Sequence, residues 1–213
     1  MTHLQKAREL QAKSLIAAIE KRNMTAFYCE SKEDCLKKVL EIVPEESTIA
    51  WGGSESIKEV GIPNALKESG NYTVYDRAEY TSPEKAKEFN TLAFNSDYYF
   101  MSTNAITLDG VLVNIDGNGN RVANLIFGPE HVIVVTGMNK IVKDVDEAYN
   151  RVRNIASPPN TVRLNKNTPC SKNGKCADCY GDECICNQIV ITRRSRVKER
   201  IIVLLVNVNL GFC

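Results

Sequence analysis

The sequence predicts an α/β domain: a mostly parallel sheet with helices on both faces, an N-terminal helix before it and a cysteine-rich loop near its C-terminal end. Three observations carry this. From residue 24 onward short apolar runs alternate with amphipathic helical stretches, the pattern that parallel strands joined by crossover helices require. The run His131-Val-Ile-Val-Val-Thr136 is apolar at successive positions, as a central strand covered on both faces must be. A chain of 213 residues can bury one substantial core but leaves little for a second. The expected organisation is therefore a helix over 1–22 and one α/β domain over 23–213, which includes the loop 169–187.

Each element has its own signal. Residues 2–22 are polar and helix-forming, with Leu4, Ala7, Leu15, Ile16 and Ile19 near a 3.6-residue period, so a peripheral amphipathic helix is expected. Thr25–Cys29 reads as a strand, and Ser31 with Asp34 opens a helix whose buried stripe is Cys35, Leu36, Val39, Leu40 and Val43. Thr48–Trp51 is a second strand, stopped by Gly52-Gly53-Ser54 before a further helix. Tyr72–Tyr75 is a third. Ser82 and Pro83 start a helix that buries Ala86, Phe89, Leu92 and Ala93. Asp97–Ser102 and Gly110–Ile115 give the fourth and fifth strands, His131–Thr136 the sixth. Val142, Val145, Ala148, Val152 and Ile155 phase a helix that Pro158-Pro159 should end near Ser157, and Ile201–Val206 closes the sheet.

Composition excludes several functions. With 27 Lys and Arg against 26 Asp and Glu, the net charge of +1 produces no field that would gather nucleic acid or a membrane surface. The basic run Arg193, Arg194, Arg196, Lys198 and Arg200 has no aromatic platform beside it and reads as a solvated connection. No apolar run approaches the roughly 20 residues that cross a bilayer, and the first residues lack a signal-peptide core. A cytoplasmic protein is expected.

The cysteines are unevenly placed. Cys29 and Cys35 lie on apolar faces and read as small buried hydrophobes, whereas Cys170, Cys176, Cys179, Cys184 and Cys186 crowd into one loop. In a reducing compartment such thiolate density suits tetrahedral zinc or an iron–sulfur cluster better than disulfides. Cys170, Cys176, Cys179 and Cys186 are the expected ligands. Cys184, two positions from Cys186, is the leftover, with the alternative that it replaces one of the four. Spacing alone does not choose between zinc and a cluster, nor between a structural brace and electron transfer, and a centre of this kind can be lost in aerobic purification.

A second set of residues gathers at strand ends, where open parallel sheets bind ligands. Gly52, Gly53 and Ser54 form a glycine turn before a helix and suit a phosphate or carboxylate. Asn104, Thr107 and Asp109, then Asn114, Asp116, Asn120 and Arg121, are polar residues in two dense runs. Asn139 and Lys140 follow the sixth strand and add a positive charge. Taken singly, Asp109-Gly110 also reads as a hairpin corner and Asn118-Gly119 as a turn. His3 and His131 are isolated in sequence and are not assigned a catalytic role.

Asn104-Ala-Ile-Thr-x-Asp109-Gly, Asn114-x-Asp116-Gly-x-Gly119-Asn-Arg121, Phe127-Gly-Pro129, Gly137-x-Asn139-Lys140 and Pro169-Cys…Gly174-x-Cys176-x-x-Cys179…Ile185-Cys186-Asn187 occur in this order. Together they resemble the lactate-utilisation LUD-domain family over about residues 10–210. The resemblance implies a fold like ribose-5-phosphate isomerases and CoA transferases, with the loop at Gly52-Gly53-Ser54 facing the ligand. Members are associated with bacterial L-lactate oxidation beside iron–sulfur partner subunits. The glutamate nucleophile motif of CoA transferases is missing, so that activity is not carried over, and Cys184 departs from the family pattern. The leading expectation is an accessory or redox subunit with a cysteine-bound centre and a small-anion cleft. The alternative is a sugar-phosphate or CoA-type ligand-binding enzyme with a structural cysteine loop; a third reading is an assembly or regulatory module that binds a partner through the N-terminal helix and the basic cluster. Expected partners are a small anionic metabolite, iron–sulfur subunits and a second copy of the chain.

Overall fold

The structure, a computed structural model, describes residues 2–212. Six parallel strands form the main sheet: β1 (Thr25–Cys29), β2 (Thr48–Trp51), β3 (Thr73–Asp76), β4 (Tyr98–Met101), β7 (His131–Gly137) and β10 (Ile201–Val206), in the order β1-β10-β7-β4-β2-β3. The last strand of the chain does not close an edge. It slots between β1 and β7, and both β10 and β7 are apolar enough to be covered on two faces. Alternation sends Val132, Val134, Val203 and Leu205 into one core, and Ile133, Val135, Ile202 and Leu204 into the other.

The helices cover those faces. α1 (His3–Lys21), opened by a Thr2–Gln5 capping box, packs Ala12, Leu15 and Ile19 on the first core, together with Phe89 and Ala93 of α5 (Pro83–Phe94) and Leu125 of α6 (Asn120–Ile126). Leu4, expected in the buried stripe, stays 61% exposed because only the C-terminal half of α1 meets the core. α2 (Lys32–Ile42), capped by Ser31 through Asp34 N–H, lies on the second core with α3 (Glu55–Val60) and α4 (Ile62–Ser69). Cys29 and Cys35 are buried there, as small hydrophobes would be.

The strand expected over Gly110–Ile115 does not join this sheet. As β6 (Leu112–Asp116) it forms an antiparallel hairpin with β5 (Ala105–Thr107) in a second sheet, completed by β8 (Ile141–Val142) and the edge strand β9 (Gln188–Thr192), in the order β8-β5-β6-β9. The reason is length. Only four residues separate β5 from β6, enough for a hairpin but far too few for a parallel crossover. One face of this sheet adds Ile106 and Leu112 to the first core. The other packs Ala105, Val113 and Ile115 on a third core with Ala148, Val152 and Ala156.

Those last residues belong to a helix that runs past its expected stop. α7 (Val145–Arg151) passes through a π-turn (Val152–Ala156) straight into α8 (Ser157–Arg163), so Pro158 and Pro159 lie within the helical path. Two prolines withhold two N–H groups and crowd the carbonyls four residues back. In the π-turn Ser157 N–H reaches back to Val152 C=O, five residues away, and the widened turn removes that crowding. α9 (Pro169–Asn173) follows, capped by Thr168 and stopped at Gly174. Residues 174–187 then contain neither helix nor strand. No described helix is long and apolar enough to cross a membrane.

Candidate functional site

Because the six strands of the main sheet are parallel, their C-terminal ends open on one side. There the sheet brings together Gly52-Gly53-Ser54 after β2, Ser102-Thr103-Asn104 after β4, Met138-Asn139-Lys140 after β7 and Asn207–Phe212 after β10. Lys140 is only 6% exposed. Its ammonium donates to Ser56 Oγ and Ser102 Oγ, each at 2.8 Å. The chain after β10 lies across it: a Cβ on Gly211 would stand 2.8 Å from Ser56 Oγ and 3.3 Å from Lys140 Nζ. Asn139 holds this segment through both its side-chain atoms, to Leu210 N–H and Leu210 C=O, and Gly211 N–H donates to the Glu59 carboxylate. Gly137 has no room for a side chain, since a Cβ there would meet Val208 C=O and Leu210 N–H at 2.6 Å.

The Gly52-Gly53-Ser54 turn lies beside this group. Gly52 faces the buried Tyr99 hydroxyl, Gly53 is exposed, and the Arg163 guanidinium at the end of α8 stands 3.9 Å from where a Gly53 side chain would begin. Ser54 occupies the cap position of α3 but makes no cap bond, and its hydroxyl is buried without a partner. Burial pushes the Tyr99 hydroxyl above its ordinary range, against a hydrogen bond with Asn124.

The other polar residues expected here turn toward one another. All five N–H groups of Arg121 are engaged: Nε on Asp116 Oδ2 at 3.1 Å, Nη1 on Ser102 C=O and Asn114 Oδ1, Nη2 on Asn104 Oδ1 and Ile115 C=O. Asp116 also receives Gly119 N–H, which leaves Asn120 at the first position of α6 with its side chain partly exposed. Of this cluster only Asn114 Nδ2 is buried and unpaired. Thr107 and Asp109 are not part of it. They form the β5–β6 corner, where Asp109 bonds Thr107 and Arg22, at the far end of the strand from Asn104. The Thr107 hydrogen bond, then the Arg22 charge, hold the Asp109 carboxyl below its usual range. Arg200 of the basic run also turns inward, donating to the carbonyls of Asn124, Leu125 and Pro129 at the end of α6.

The cysteine loop packs on the helix of α7, the π-turn and α8. Cys170 is 7% exposed, with Thr161 Oγ1 at 3.4 Å and Thr168 Oγ1 at 3.3 Å. Arg153 Nε donates to Cys176 Sγ at 3.1 Å, and the Cys186 thiol contacts Ser157 Oγ at 3.4 Å. Cys179 and Cys184 touch each other and line a cavity of about 230 Å³ with Thr168, Asp182 and Glu183. Burial pushes the Cys186 thiol up; Ser157 opposes this, and Cys184, Cys176 and Cys170 add to it. Burial and contact with Cys184 raise Cys179 likewise. All seven described cysteines are free, and among the described residues no three His, Cys, Asp or Glu side chains converge to hold a metal ion as they stand. The chemistry of the donor set still suits a soft metal: Cys170 sits on α9, and the four thiols that follow it share a stretch without helix or strand.

Ser56, Ser102, Arg151, Arg153, Ser157, Thr161 and Arg163 are site neighbours that sequence reasoning did not find. Arg151 is buried and ties the carbonyls of Asn104, Asn139 and Phe212 together. Four of these seven follow Val152 on a helix whose continuation Pro158-Pro159 concealed.

Comparison with known proteins agrees with this architecture. A crystal structure of a DUF162 family protein from Deinococcus radiodurans superposes with a TM-score of 0.54 at 13% identity, over 93% of this chain and 97% of that one. At that identity the likeness shows the fold alone. A partial likeness to eIF2B delta from Chaetomium thermophilum, with a TM-score of 0.34 at 15% identity over 66% of this chain and 54% of that one, is too loose to carry an argument. No curated protein matches the sequence. The model of the LUD domain matches residues 12–206, every strand of both sheets and the cysteine loop with them, and the chain belongs to the LUD domain family.

Proposed function

We propose that this protein serves lactate utilisation as an accessory redox subunit whose cysteine loop takes up an iron–sulfur cluster or zinc. One observation carries the reading: three of the five thiols between Cys170 and Cys186 already meet a hydroxyl or a guanidinium from a single helix. Cys170, Cys176, Cys179 and Cys186 would hold the centre, with Cys184 beside Cys179 as a spare thiol. The bound centre would supply an electron store or a structural brace. The residues of the chain keep one side of it dry through Ala156 and the buried Thr161, and place the Arg153 charge against the sulfurs. Residues 174–187, lacking regular structure, are the part that closes on uptake.

The strand-end cleft would take a small anion beside the exposed Gly53 and Arg163, whose guanidinium now meets the Glu55 carboxylate at 3.7 Å and Asn160 Oδ1 at 2.8 Å. Its partners in this reading are a small carboxylate and iron–sulfur subunits of the same system. A phosphate-ligand enzyme built around Lys140 has less support, since that ammonium lies buried against Ser56 and Ser102 with the Gly211 backbone over it.

The test is anaerobic purification followed by visible absorption and analysis of iron, sulfide and zinc. Iron with acid-labile sulfide and a visible band, or stoichiometric zinc, is the expected result. A colourless, metal-free protein that also fails reconstitution overturns the proposal. The lactate assignment is checked separately: a deletion strain should lose growth on L-lactate, regain it with the wild-type chain and not with C176S.

A further inference from the structure

Arg153, Ser157 and Thr161 stand at four-residue intervals on one helix, and each meets a different cysteine of the loop. In an uninterrupted α-helix two such steps overshoot by about 40° each, so the third residue would drift to the flank. Here the first step runs through the π-turn, whose wider turn lags where the α-helical step leads. The two offsets oppose each other, and the three polar side chains line up beneath Cys176, Cys186 and Cys170. π-turns recur at functional sites, and this one coincides with the line of sulfur contacts.

The chemistry of the contacts suits sulfur that carries charge. A neutral thiol is a weak donor and a weak acceptor, so a guanidinium gains little from it, whereas a thiolate accepts a charge-assisted bond. Arg153 spends its Nε on Cys176 and a second nitrogen on Asp178, two residues further along the Cys176-Ala-Asp-Cys179 turn. Backbone N–H groups point the same way: Asp178 N–H to Cys176 Sγ and Cys186 N–H to Cys184 Sγ, both at 3.4 Å. Ser157 Oγ now accepts from the Cys186 thiol, and Thr161, only 1% exposed, gives its proton to Pro158 C=O; once the sulfurs are thiolates, either hydroxyl can rotate to donate to its cysteine without moving any heavy atom.

We propose that Arg153, Ser157 and Thr161 are the positioning residues of the thiolate centre, one hydrogen-bond donor for each of Cys176, Cys186 and Cys170, and that they set how tightly the centre is held. This rests on the reading that the loop binds a metal or cluster. Its experiment separates the two. Wild type, R153M, R153K, S157A, T161V and T161S are prepared anaerobically as full chains, checked for native melting, and loaded with zinc or with ferrous iron and sulfide. Transfer to a chelator is then followed.

Loss of a hydrogen-bonding partner behind a ligand typically costs 10–100-fold in metal affinity. R153M, S157A and T161V should each fall about 10-fold or more, R153M furthest, while R153K falls less and T161S matches wild type. For a loaded cluster, R153M should also shift the midpoint potential downward, a change that mere loss of packing does not produce. Should T161V fail to fold, S157A and the Arg153 pair still decide the matter. Wild-type retention in R153M and S157A overturns the donor shell and leaves metal binding intact. A wild-type protein that takes up neither zinc nor a cluster overturns both proposals.

Discussion

The polar residues at the strand ends and the thiols of the loop look alike in sequence, as dense runs of chemically able side chains, yet they are in opposite physical states. At the strand ends, Arg121 spends every N–H inside the protein and binds β4, β5 and β6 into one unit. In the loop, the sulfurs, weak donors and acceptors themselves, make contacts of 3.1–3.4 Å, and all but Cys170 lie on a stretch without helix or strand. Strong groups satisfied internally build architecture; weakly satisfied soft donors remain available to a ligand. A high density of polar residues therefore does not by itself mark a binding surface.

The contrast can be broken most directly at Arg121. R121M leaves Asp116 buried without its cation and should cost about 3 kcal/mol in denaturant unfolding, with metal uptake by the surviving folded protein unchanged. Equal loss of metal uptake would mean that the two regions are not separate. Next in size is G137A: the added methyl collides with Val208 and Leu210, so about 2 kcal/mol should be lost and the segment after β10 should become more accessible to amide exchange.

D109N is expected to be smaller. Asp109 is held below the usual carboxylate range by Thr107 and Arg22, so its contribution is present above the unfolded value of about 3.9 and disappears as pH falls through the lower folded value. Its side chain is 66% exposed, so screening limits the effect to at most about 0.5 kcal/mol. Melting curves of wild type and variant should differ slightly at pH 7 and coincide once both are acidified below the folded value. The least change in metal-free stability belongs to C176S, a half-buried loop position; its melting should match wild type while its metal content collapses. A large drop in metal-free stability would make Cys176 part of the scaffold instead.

Legibility in the sequence followed the range of the interactions. The strands Thr25–Cys29, Thr48–Trp51 and His131–Thr136 and the caps at Ser31 and Ser82 were readable because periodicity and caps act over a few residues. The edge strand Gln188–Thr192 was missed: pairing with β6 holds it, and its outward Ile189 and Ile191 follow a cysteine loop that masks the signal. At the candidate site, Lys140 and the Gly52-Gly53-Ser54 turn were legible, but not Arg163, which reaches Gly53 only after the helix has carried it past two prolines. Thr107 and Asp109 were grouped with Asn104 by proximity in sequence, although a strand separates neighbours by about 3.3 Å per residue and carries them to its other end.

What the sequence determined by itself is the α/β class, the interior position of His131–Thr136 and the concentration of thiols between Cys170 and Cys186, since each depends on residue type and local spacing. Tertiary structure alone decided that Ile201–Val206 enters between β1 and β7, that Gly110–Ile115 belongs to a second sheet, and that Arg153, Ser157 and Thr161 face the sulfurs. Those outcomes depend on which distant segments share a core, and on a helix whose π-turn removes the proline clash, neither of which is encoded in any short window of the chain.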